Sequence, residues 1–258
     1  MKICALVGNP VSHSASPKVF DAGFEKQNLF YRYIPFCVKN LSVAAEGLRA
    51  LPVKGFSVTI PYKEKIIPLL DRVDPVAREL GAVNTVVREG KKLIGYNTDW
   101  VGVYQPLRKY SLKGKKASVL GAGGAARAAV YALKKLGAKV TVFNRTFSRA
   151  QRLGKEFKVN SALLKDFPQY KSDIVINATS VGMESKKMSI KTKDIPTGGI
   201  VFDIVYTPKE TALLKAARKK GCRVIYGTEM FLAQAAEQYK LWTGEEAPLG
   251  VIEKVLGS

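Results

Sequence analysis

The first hundred residues alternate between short apolar runs and longer mixed segments. The runs at 2–7, 31–36 and 55–59 are rich in β-branched and aromatic residues and predict buried strands. The segments between them predict helices. The first begins at Ser16-Pro17, where serine can cap a helix and proline suits its first position, and the second covers 41–51. Strands separated by helices predict βαβ units and a mainly parallel sheet.

The same alternation continues to the end of the chain. A short helix after Pro61, a helix near 75–80 and a hairpin turning at Glu89-Gly90 come next. Further strands are predicted over 116–120, 139–143, 173–180, 199–206 and 223–227. From Met230 onward the pattern predicts two helices and no strand, and these helices could pack on either part of the chain. The fold class is therefore α/β with two domains, and we place the boundary near 100–107.

Composition narrows the class of protein. The chain has 258 residues and is 47% hydrophobic, which is ordinary for a folded globular protein. No apolar run approaches the roughly 20 residues that span a bilayer, and Asn9-Pro10 ends the first run too early for a signal peptide. Three scattered cysteines and a single histidine give no metal-binding pattern. We therefore expect a cytoplasmic location, no metal and no membrane contact.

The chain carries an unusual excess of positive charge. Its 42 Lys and Arg against 21 Asp and Glu give a net charge of +21, which raises the possibility of a nucleic-acid partner. The basic residues occur in short scattered groups, however, and no group is interleaved with aromatic residues as a base-stacking surface would be. We expect no nucleic-acid partner. A basic surface also suits a small anionic substrate and a phosphorylated cofactor.

A glycine-rich turn lies between a predicted strand and a predicted helix. Gly121, Gly123 and Ala126 match the G-x-G-x-x-G/A dinucleotide fingerprint, with Gly124 and Ala125 between them. The first glycine permits a tight turn, the second lets the backbone approach a pyrophosphate, and the helix N-terminus then favours the anion. A purely structural turn is the alternative. The strand before it, the helix after it and the second strand at the right distance favour nucleotide binding.

The end of the second strand indicates which nucleotide is bound. An NAD-binding site needs an acidic residue about 20 positions after the glycines, but that count reaches Asn144, followed by Arg145 and Thr146, with Arg149 one turn later. Guanidinium groups pair with phosphate, so this pattern predicts a pocket for a 2′-phosphate and hence NADP. The alternative is a charged start to the next helix with Thr146 as its cap. Positive charge is unfavourable at that end of a helix.

In the first domain, polar residues stand where predicted strands end, the edge at which open α/β sheets bind ligands. Ser12 and Ser14 are two apart in a segment that we expect to be extended, so both hydroxyls could hold a carboxylate. Capping of the next helix is a reasonable alternative for Ser14 and a poorer one for Ser12.

Further polar residues follow the later strands of this domain. Thr59 ends a strand, and Asn84, expected in mid-strand, needs hydrogen-bond partners if it is buried. Asp99 could bind substrate or cap the helix beginning at Trp100. Lys63 comes just beyond a buried strand and could be aimed into a site or be ordinary solvated surface.

Nine short motifs occur in an order that resembles the shikimate dehydrogenase family over essentially the whole chain. They are SHSASP (12–17), SVTIPYKE (57–64), GAVNT (81–85), GYNTD (95–99), GAGGAARA (121–128), NRT (144–146), NATSVGM (177–183), VYTP (205–208) and WTG (242–244). Any one of them would be weak, but the ordered set is highly specific. The resemblance implies NADPH-dependent, reversible reduction of 3-dehydroshikimate to shikimate in aromatic amino-acid biosynthesis.

The resemblance also assigns roles to residues. Lys63 and Asp99 match the family's catalytic pair. Ketone reduction leaves an alkoxide that takes up a proton, and Lys63 could supply that proton or only stabilise the negative charge. The substrate would contact Ser12, Ser14, Thr59, Lys63, Asn84, Asp99, Tyr206 and Gln234. Besides the residues of the two nucleotide motifs, the cofactor would contact Thr179, Met183, Gly227 and Met230.

The implied architecture is a discontinuous substrate domain and a Rossmann-type NADP domain. Because Gln234 would bind substrate, we expect 1–101 and 230–258 to form the first domain and 102–229 the second. We expect a monomer or a homodimer.

Two positions depart from the family's common pattern. Ser57 stands where the common pattern has asparagine, and a serine at this position resembles the plant-type bifunctional enzymes. In those enzymes a dehydroquinase is fused in front, but we expect none before Met1. Ala235 stands where many relatives have glycine. Two alternatives stay open: a quinate or dual quinate/shikimate dehydrogenase, and a non-catalytic NADP-binding sensor. Arg145 and Arg149 disfavour the first, and the intact Lys63 and Asp99 disfavour the second.

Overall fold

The computed structural model describes residues 1–12, 14–183 and 185–257. The chain divides into two compact units, which are Met1–Thr98 with Leu232–Ser258, and Asp99–Phe231. Among the described residues, no helix combines the length and apolar character that a membrane span requires. The described residues also include no group of three His, Cys, Asp or Glu that could hold a metal ion.

The first unit is built on a six-stranded mixed sheet in the order β2-β1-β3-β5-β6-β4. The strands are β1 (Lys2–Gly8), β2 (Tyr31–Cys37), β3 (Val53–Val58), β4 (Arg72–Val73), β5 (Thr85–Glu89) and β6 (Lys92–Tyr96). β1 runs parallel to both β2 and β3, whereas β5 runs antiparallel to β3. Two of the apolar runs predicted from the sequence, β1 and β3, therefore lie inside the sheet, and the third, β2, forms one of its edges.

Five helices cover this sheet. They are α1 (Ser16–Lys26), α2 (Leu41–Ala50), α3 (Pro75–Leu80), α9 (Leu249–Gly257) and the part of α8 (Gly227–Thr243) that follows Phe231. Their local sequence explains where two of them begin: the side chains of Asn40 and Asp74 accept backbone N–H groups in the first turns of α2 and α3. Phe20 of α1 packs against Tyr33 of β2 and Trp242 of α8. This aromatic cluster fixes the C-terminal helices on the first unit.

The second unit contains a six-stranded, fully parallel sheet in the order β9-β8-β7-β10-β11-β12. Its strands are β7 (Lys116–Leu120), β8 (Lys139–Asn144), β9 (Asn160–Leu163), β10 (Ile174–Asn177), β11 (Ile200–Asp203) and β12 (Arg223–Ile225). Its helices are α4 (Asp99–Leu107), α5 (Gly124–Lys135), α6 (Phe147–Phe157), α7 (Ala212–Lys219) and the start of α8. Counted from β7, the order is 3-2-1-4-5-6, the doubly wound arrangement of dinucleotide-binding domains. The predicted fold class is confirmed.

Several local predictions were wrong. Ser16 is the first residue of α1, with Ala15 at the cap position, and Asn84 immediately precedes β5 instead of lying within it. Turns follow Pro61, and the only helical part of 61–70 is a 3₁₀ turn at Ile67–Leu69. The strands β4 and β9 were not predicted. They have two and four residues, too few to give a clear alternating pattern.

Positive charge is concentrated in the second unit. Residues 99–231 hold 26 of the 42 Lys and Arg but only 9 of the 21 Asp and Glu, a formal charge of +17 out of +21. A field of this sign attracts anionic ligands over distances up to about a Debye length.

Candidate active site

The glycine-rich turn lies where three parallel strands end together. Leu120 of β7 pairs with Phe143 of β8 and with Asn177 of β10, so the carboxyl ends of these strands are in register. Gly121 follows with φ +113°, and a Cβ atom there would lie 2.8 Å from the carbonyl oxygen of Ala178. Only glycine therefore fits at position 121, both for its backbone conformation and for the close approach of the next loop. This edge is the switch point at which such sheets bind ligands.

Helix α5 presents its N-terminus at the same edge. Gly123 is the cap residue and is exposed, and a Cβ atom on it would meet no protein atom within 4 Å. The half-buried Gly124 and Ala125 begin the helix, and Ala126 is fully buried against the sheet. The free N–H groups of the first turn and the open space beside Gly123 fit a pyrophosphate.

The predicted 2′-phosphate pocket lies at the end of the neighbouring strand. Asn144 ends β8, and its side-chain amide donates to the Thr146 carbonyl oxygen at 3.0 Å. Arg145, Thr146 and Arg149 are exposed around the start of α6, whose first turn contains no acidic residue. Thr146 occupies the cap position, but its side chain makes no capping hydrogen bond. The alternative interpretation, in which Thr146 caps the helix, therefore holds for its position but gains no side-chain hydrogen bond.

The loop after β10 is held by a buried polar network. Asn177 donates to the Asp203 carboxylate at 2.8 Å and to the Val181 carbonyl oxygen at 3.1 Å, and it accepts from the Thr179 hydroxyl at 2.7 Å. The Asp203 carboxylate also accepts from the Thr211 hydroxyl at 2.7 Å and from the Val205 N–H at 3.1 Å. Two loops at the ligand edge are thereby tied together. Of the predicted cofactor residues, Thr179 belongs to this network.

Asp203 is fully buried, and burial raises its pKa above the ordinary 3.8, against three hydrogen bonds that lower it. We expect Asp203→Ala to lower the free energy of unfolding by about 2–4 kcal/mol, because three buried donors lose their acceptor at about 1–3 kcal/mol each before relaxation. Asp203→Asn keeps an acceptor oxygen and should cost less. Urea unfolding of both variants measures the difference.

The same residue predicts a pH dependence. Because the folded-state pKa is raised, the folded protein holds the Asp203 proton more tightly than the unfolded chain does. The stability of the wild type relative to Asp203→Asn should be highest below pH 3.8 and fall as pH rises through the folded-state pKa. A constant difference across that range would contradict this prediction.

The remaining predicted cofactor residues lie in the same unit. Gly227 begins α8 so close to the preceding loop that a Cβ atom would lie 2.4 Å from the Val205 carbonyl oxygen. Met230 is buried in the first turns of α8, and Met183 is exposed in the loop after β10. Tyr206, predicted to contact substrate, is half-buried and packs on Phe231 with the ring centroids 5.1 Å apart.

The two predicted carboxylate-binding serines follow β1. The Ser14 N–H donates to the Val11 carbonyl oxygen at 3.2 Å, so the segment closes a turn and is not extended as predicted. The Ser14 hydroxyl oxygen accepts the Ser16 N–H at 3.2 Å, which supports the helix-start alternative for Ser14. Ser12 is exposed, and His13 lies outside the described residues.

The segment after β3 places Lys63 between two buried anchors. Thr59 is half-buried directly after the strand, and its N–H donates to the Val7 carbonyl oxygen at 2.9 Å. Tyr62 and Ile66 are buried in the core of the first unit, on either side of Lys63. The Lys63 carbonyl oxygen accepts the Val83 N–H at 2.8 Å, and its side chain is half-buried. Lys63 is thus held at the carboxyl end of β3 on a backbone fixed at both ends.

Asn84 is buried, with 2% of its surface exposed, and its partners are protein groups. Its side-chain oxygen accepts the Thr98 N–H at 2.7 Å and the Thr85 hydroxyl at 2.8 Å. Its amide nitrogen donates to the Thr98 hydroxyl at 3.0 Å and lies 3.4 Å from the Gln234 side-chain oxygen. The structure therefore brings together Asn84 and Gln234, which are 150 residues apart in the chain.

Asp99 is the first residue of α4, not a cap before it, and it is buried with 4% of its surface exposed. Five further polar residues, for which the sequence predicted no role, are buried and hydrogen-bonded: Ser57, Thr85, Asn177, Asp203 and Gln238. For Asn177 and Asp203, the sequence signal was a polar residue directly after apolar residues of a predicted strand, in VIN (175–177) and VFD (201–203).

Three family models match the chain. The shikimate dehydrogenase substrate binding domain matches residues 6–86, the shikimate / quinate 5-dehydrogenase model matches residues 105–206, and the shikimate 5'-dehydrogenase C-terminal domain matches residues 227–256. A curated shikimate dehydrogenase (NADP(+)) from Pyrococcus furiosus is 43% identical, with 98% of this chain and 94% of the relative covered.

Solved structures are similar over the full chain. The crystal structure of shikimate 5-dehydrogenase from Thermus thermophilus in complex with NADP(H) and shikimate is 34% identical with a TM-score of 0.91, covering 100% of this chain and 99% of that one. A quinate dehydrogenase from Corynebacterium glutamicum in complex with NAD is 29% identical with a TM-score of 0.92, covering 99% of each chain.

Proposed function

This chain belongs to the shikimate dehydrogenase family, and from that membership we infer that it is an NADP-dependent oxidoreductase that interconverts 3-dehydroshikimate and shikimate in aromatic amino-acid biosynthesis. One observation carries the inference: a relative solved with both NADP(H) and shikimate matches the chain from end to end at 34% identity. The curated NADP-dependent relative from Pyrococcus furiosus agrees with it.

NADP is the cofactor, and the second unit has the features to hold it. We propose that the N–H groups at the start of α5 bind the pyrophosphate beside Gly121 and Gly123. Arg145, Thr146 and Arg149 would bind the 2′-phosphate, because exposed guanidinium groups at a helix start otherwise face an unfavourable dipole. Asn144, Thr179, Met183, Gly227 and Met230 would contact the rest of the cofactor. When bound, NADPH supplies the hydride.

We propose that the substrate is bound chiefly by residues of the first unit. Ser12 and Ser14 would donate to the carboxylate, with Tyr206 assisting, and Thr59, Asn84, Asp99 and Gln234 would bind ring hydroxyls. The support from geometry is strongest for Asn84 and Gln234, whose polar side chains converge at 3.4 Å. Two amides so placed can accept and donate to neighbouring hydroxyls, as a polyhydroxylated ring requires.

Lys63 and Asp99 are our proposed catalytic residues. In the reduction, negative charge develops on the carbonyl oxygen. The Lys63 ammonium would stabilise that charge and can donate a proton from Nζ to the oxygen. In the reverse direction the same proton would return from the substrate hydroxyl to Lys63 Nζ, and the Asp99 carboxylate would accept a hydrogen bond from a ring hydroxyl. Both residues match the family's motifs, and the fixed backbone around Lys63 suits a group that must be held in place.

The test is a set of four assays that follow absorbance at 340 nm, with shikimate or quinate and with NADP+ or NAD+. We expect turnover with shikimate and NADP+ only. Turnover of quinate would favour the dual-specificity alternative, for which the Corynebacterium glutamicum relative is the structural precedent. Firm NADP+ binding without any turnover would favour the sensor. The cytoplasmic location, the oligomeric state and the absence of a nucleic-acid partner stay predictions.

A further inference from the structure

Ser57, one of the two departures from the family's common pattern, lies at the centre of a buried hydrogen-bond chain. It is on the central strand β3, two residues before Thr59, so the two side chains lie on the same face of the sheet. Phe56 and Val58 lie on the opposite face, in the apolar core. Ser57 is 6% exposed, so its hydroxyl needs protein partners.

The chain of hydrogen bonds begins at the Tyr33 hydroxyl, and the Ser57 and Thr85 hydroxyls each accept one bond and donate the next. The Tyr33 hydroxyl donates to the Ser57 oxygen at 2.7 Å, and the Ser57 hydroxyl donates to the Gln238 side-chain oxygen at 3.1 Å. The Gln238 amide nitrogen donates to the Thr85 hydroxyl oxygen at 2.8 Å, and Thr85 donates to the Asn84 side-chain oxygen at 2.8 Å. Aligned bonds of this kind polarise and strengthen one another.

The direction of these hydrogen bonds fixes which way the side-chain amide of Asn84 is turned. Its oxygen is occupied by the Thr85 hydroxyl and the Thr98 N–H, so its nitrogen must face Thr98 and Gln234 as a donor. If Thr85 lost the Gln238 donor, its hydroxyl could rotate and donate elsewhere, and the Asn84 amide could turn over. The orientation of the Asn84 amide, a proposed substrate-binding group, thus depends on residues one to four hydrogen bonds away.

The same chain sets the rotation of α8. Gln238 lies four residues after Gln234, so both side chains lie on one face of the helix. Gln238 also donates to the Asn84 carbonyl oxygen at 3.2 Å, which holds this face of α8 against the start of β5. Because Gln238 fixes the rotation of α8, Gln234 on the same face of the helix lies beside Asn84.

We propose that Tyr33, Ser57, Gln238 and Thr85 are positioning residues that orient Asn84 and Gln234 toward the ring hydroxyls of the substrate. The proposal rests on the proposed function, because it concerns the same substrate site. Ser57 and Gln238 act as a pair, because their 3.1 Å hydrogen bond joins β3 to α8.

Ser57→Ala removes the central link of the chain with little change in volume. We expect the KM for shikimate to rise about tenfold, since loss of one buried hydrogen-bond partner corresponds to about one factor of ten. The KM for NADP+ should stay within twofold. Ser57→Thr, which keeps the hydroxyl, should restore the shikimate KM. Tyr33→Phe, which removes the donor to Ser57, should also raise the shikimate KM.

The matched control is Tyr239→Phe. Tyr239 is buried on α8, and its hydroxyl lies 3.1 Å from the Gly23 carbonyl oxygen and 2.7 Å from the Gln27 side-chain oxygen, either of which can accept its proton. It makes no hydrogen bond to Asn84 or Gln238 among the described residues. It should lower the thermal midpoint much as Ser57→Ala does and leave the shikimate KM within twofold. Equal KM shifts in Tyr239→Phe and Ser57→Ala would overturn the proposal, as would unchanged KM in both Ser57→Ala and Tyr33→Phe.

Activity of the wild type distinguishes failure of the proposed function from failure of the positioning role alone. If it does not oxidise shikimate, the proposed function fails. If it does and the variants behave like Tyr239→Phe, only the positioning role fails.

Discussion

Replacing Lys63 with methionine is expected to lower kcat for shikimate oxidation about 1,000-fold, the middle of the range in which a positioned proton-transfer or charge-stabilising group contributes. Methionine is one atom shorter and keeps an unbranched apolar side chain at this half-buried position, but it lacks the ammonium. Because Tyr62 and Ile66 anchor the segment, the backbone should hold its position in the variant. The affinity for NADP+, measured by quenching of protein fluorescence, should not change.

Lys65 provides the control for Lys63. It is two residues away on the same turn, carries the same charge and is exposed. Lys65→Met should leave kcat within twofold. If both variants lose activity to the same degree, the loss reflects general electrostatics and not a placed ammonium. A fully active Lys63→Met would remove Lys63 from the mechanism.

Lys63→Arg separates the two roles that remain open for Lys63. Arginine keeps the positive charge but does not give up a proton near neutral pH. Substantial activity in this variant would mean that stabilisation of the developing alkoxide is the main contribution. Activity as low as that of Lys63→Met would mean that proton transfer from Nζ is required.

Local patterns predicted most of the fold from the sequence. The glycine turn needs only six consecutive residues, and Gly121 and Ala126 behave as the fingerprint requires because steric demands at a strand-to-helix turn are local. The short strands β4 and β9 were missed because two to four residues cannot establish a period. The turn at Ser14 was missed because hydroxyl spacing says nothing about a backbone hydrogen bond to Val11.

Long-range polar contacts could not be predicted in the same way. The sequence shows that Asn84 needs partners, but it does not show which ones. Gln234 is 150 residues away, and the bond between Ser57 and Gln238 spans 181 residues. A serine in a β-branched run and a glutamine in a helix each have ordinary surface interpretations. Only their burial at one point of the fold makes them parts of one network.

The charge of the second unit and the choice of cofactor require separate explanations. A charge of +17 on residues 99–231 attracts NAD and NADP alike, because both are anions. To distinguish NADP from NAD, the protein needs groups that are placed to pair with the 2′-phosphate. The exposed Arg145 and Arg149 stand at the start of α6, whose first turn contains no acidic residue.

We therefore expect the double variant Arg145→Gln, Arg149→Gln to lower kcat/KM for NADP+ about 100-fold or more, since each charge-assisted pair contributes about 1.5–3 kcal/mol. The value for NAD+ should stay within threefold, because the lost arginines have no 2′-phosphate to bind on that cofactor. The measurement is the ratio of the two kcat/KM values with shikimate held at saturation.

A second double variant, Lys155→Gln with Lys158→Gln, is the matched control. It also removes two positive charges from α6 and its end, but from the far end of the helix, where both side chains are exposed. If the control lowers the NADP+ value as much as the arginine variant does, the summed charge of the unit selects the cofactor, and the pocket at Arg145 and Arg149 does not exist. If only the arginine variant changes the ratio, placement decides, since both variants carry the same net charge and differ only in where it was removed.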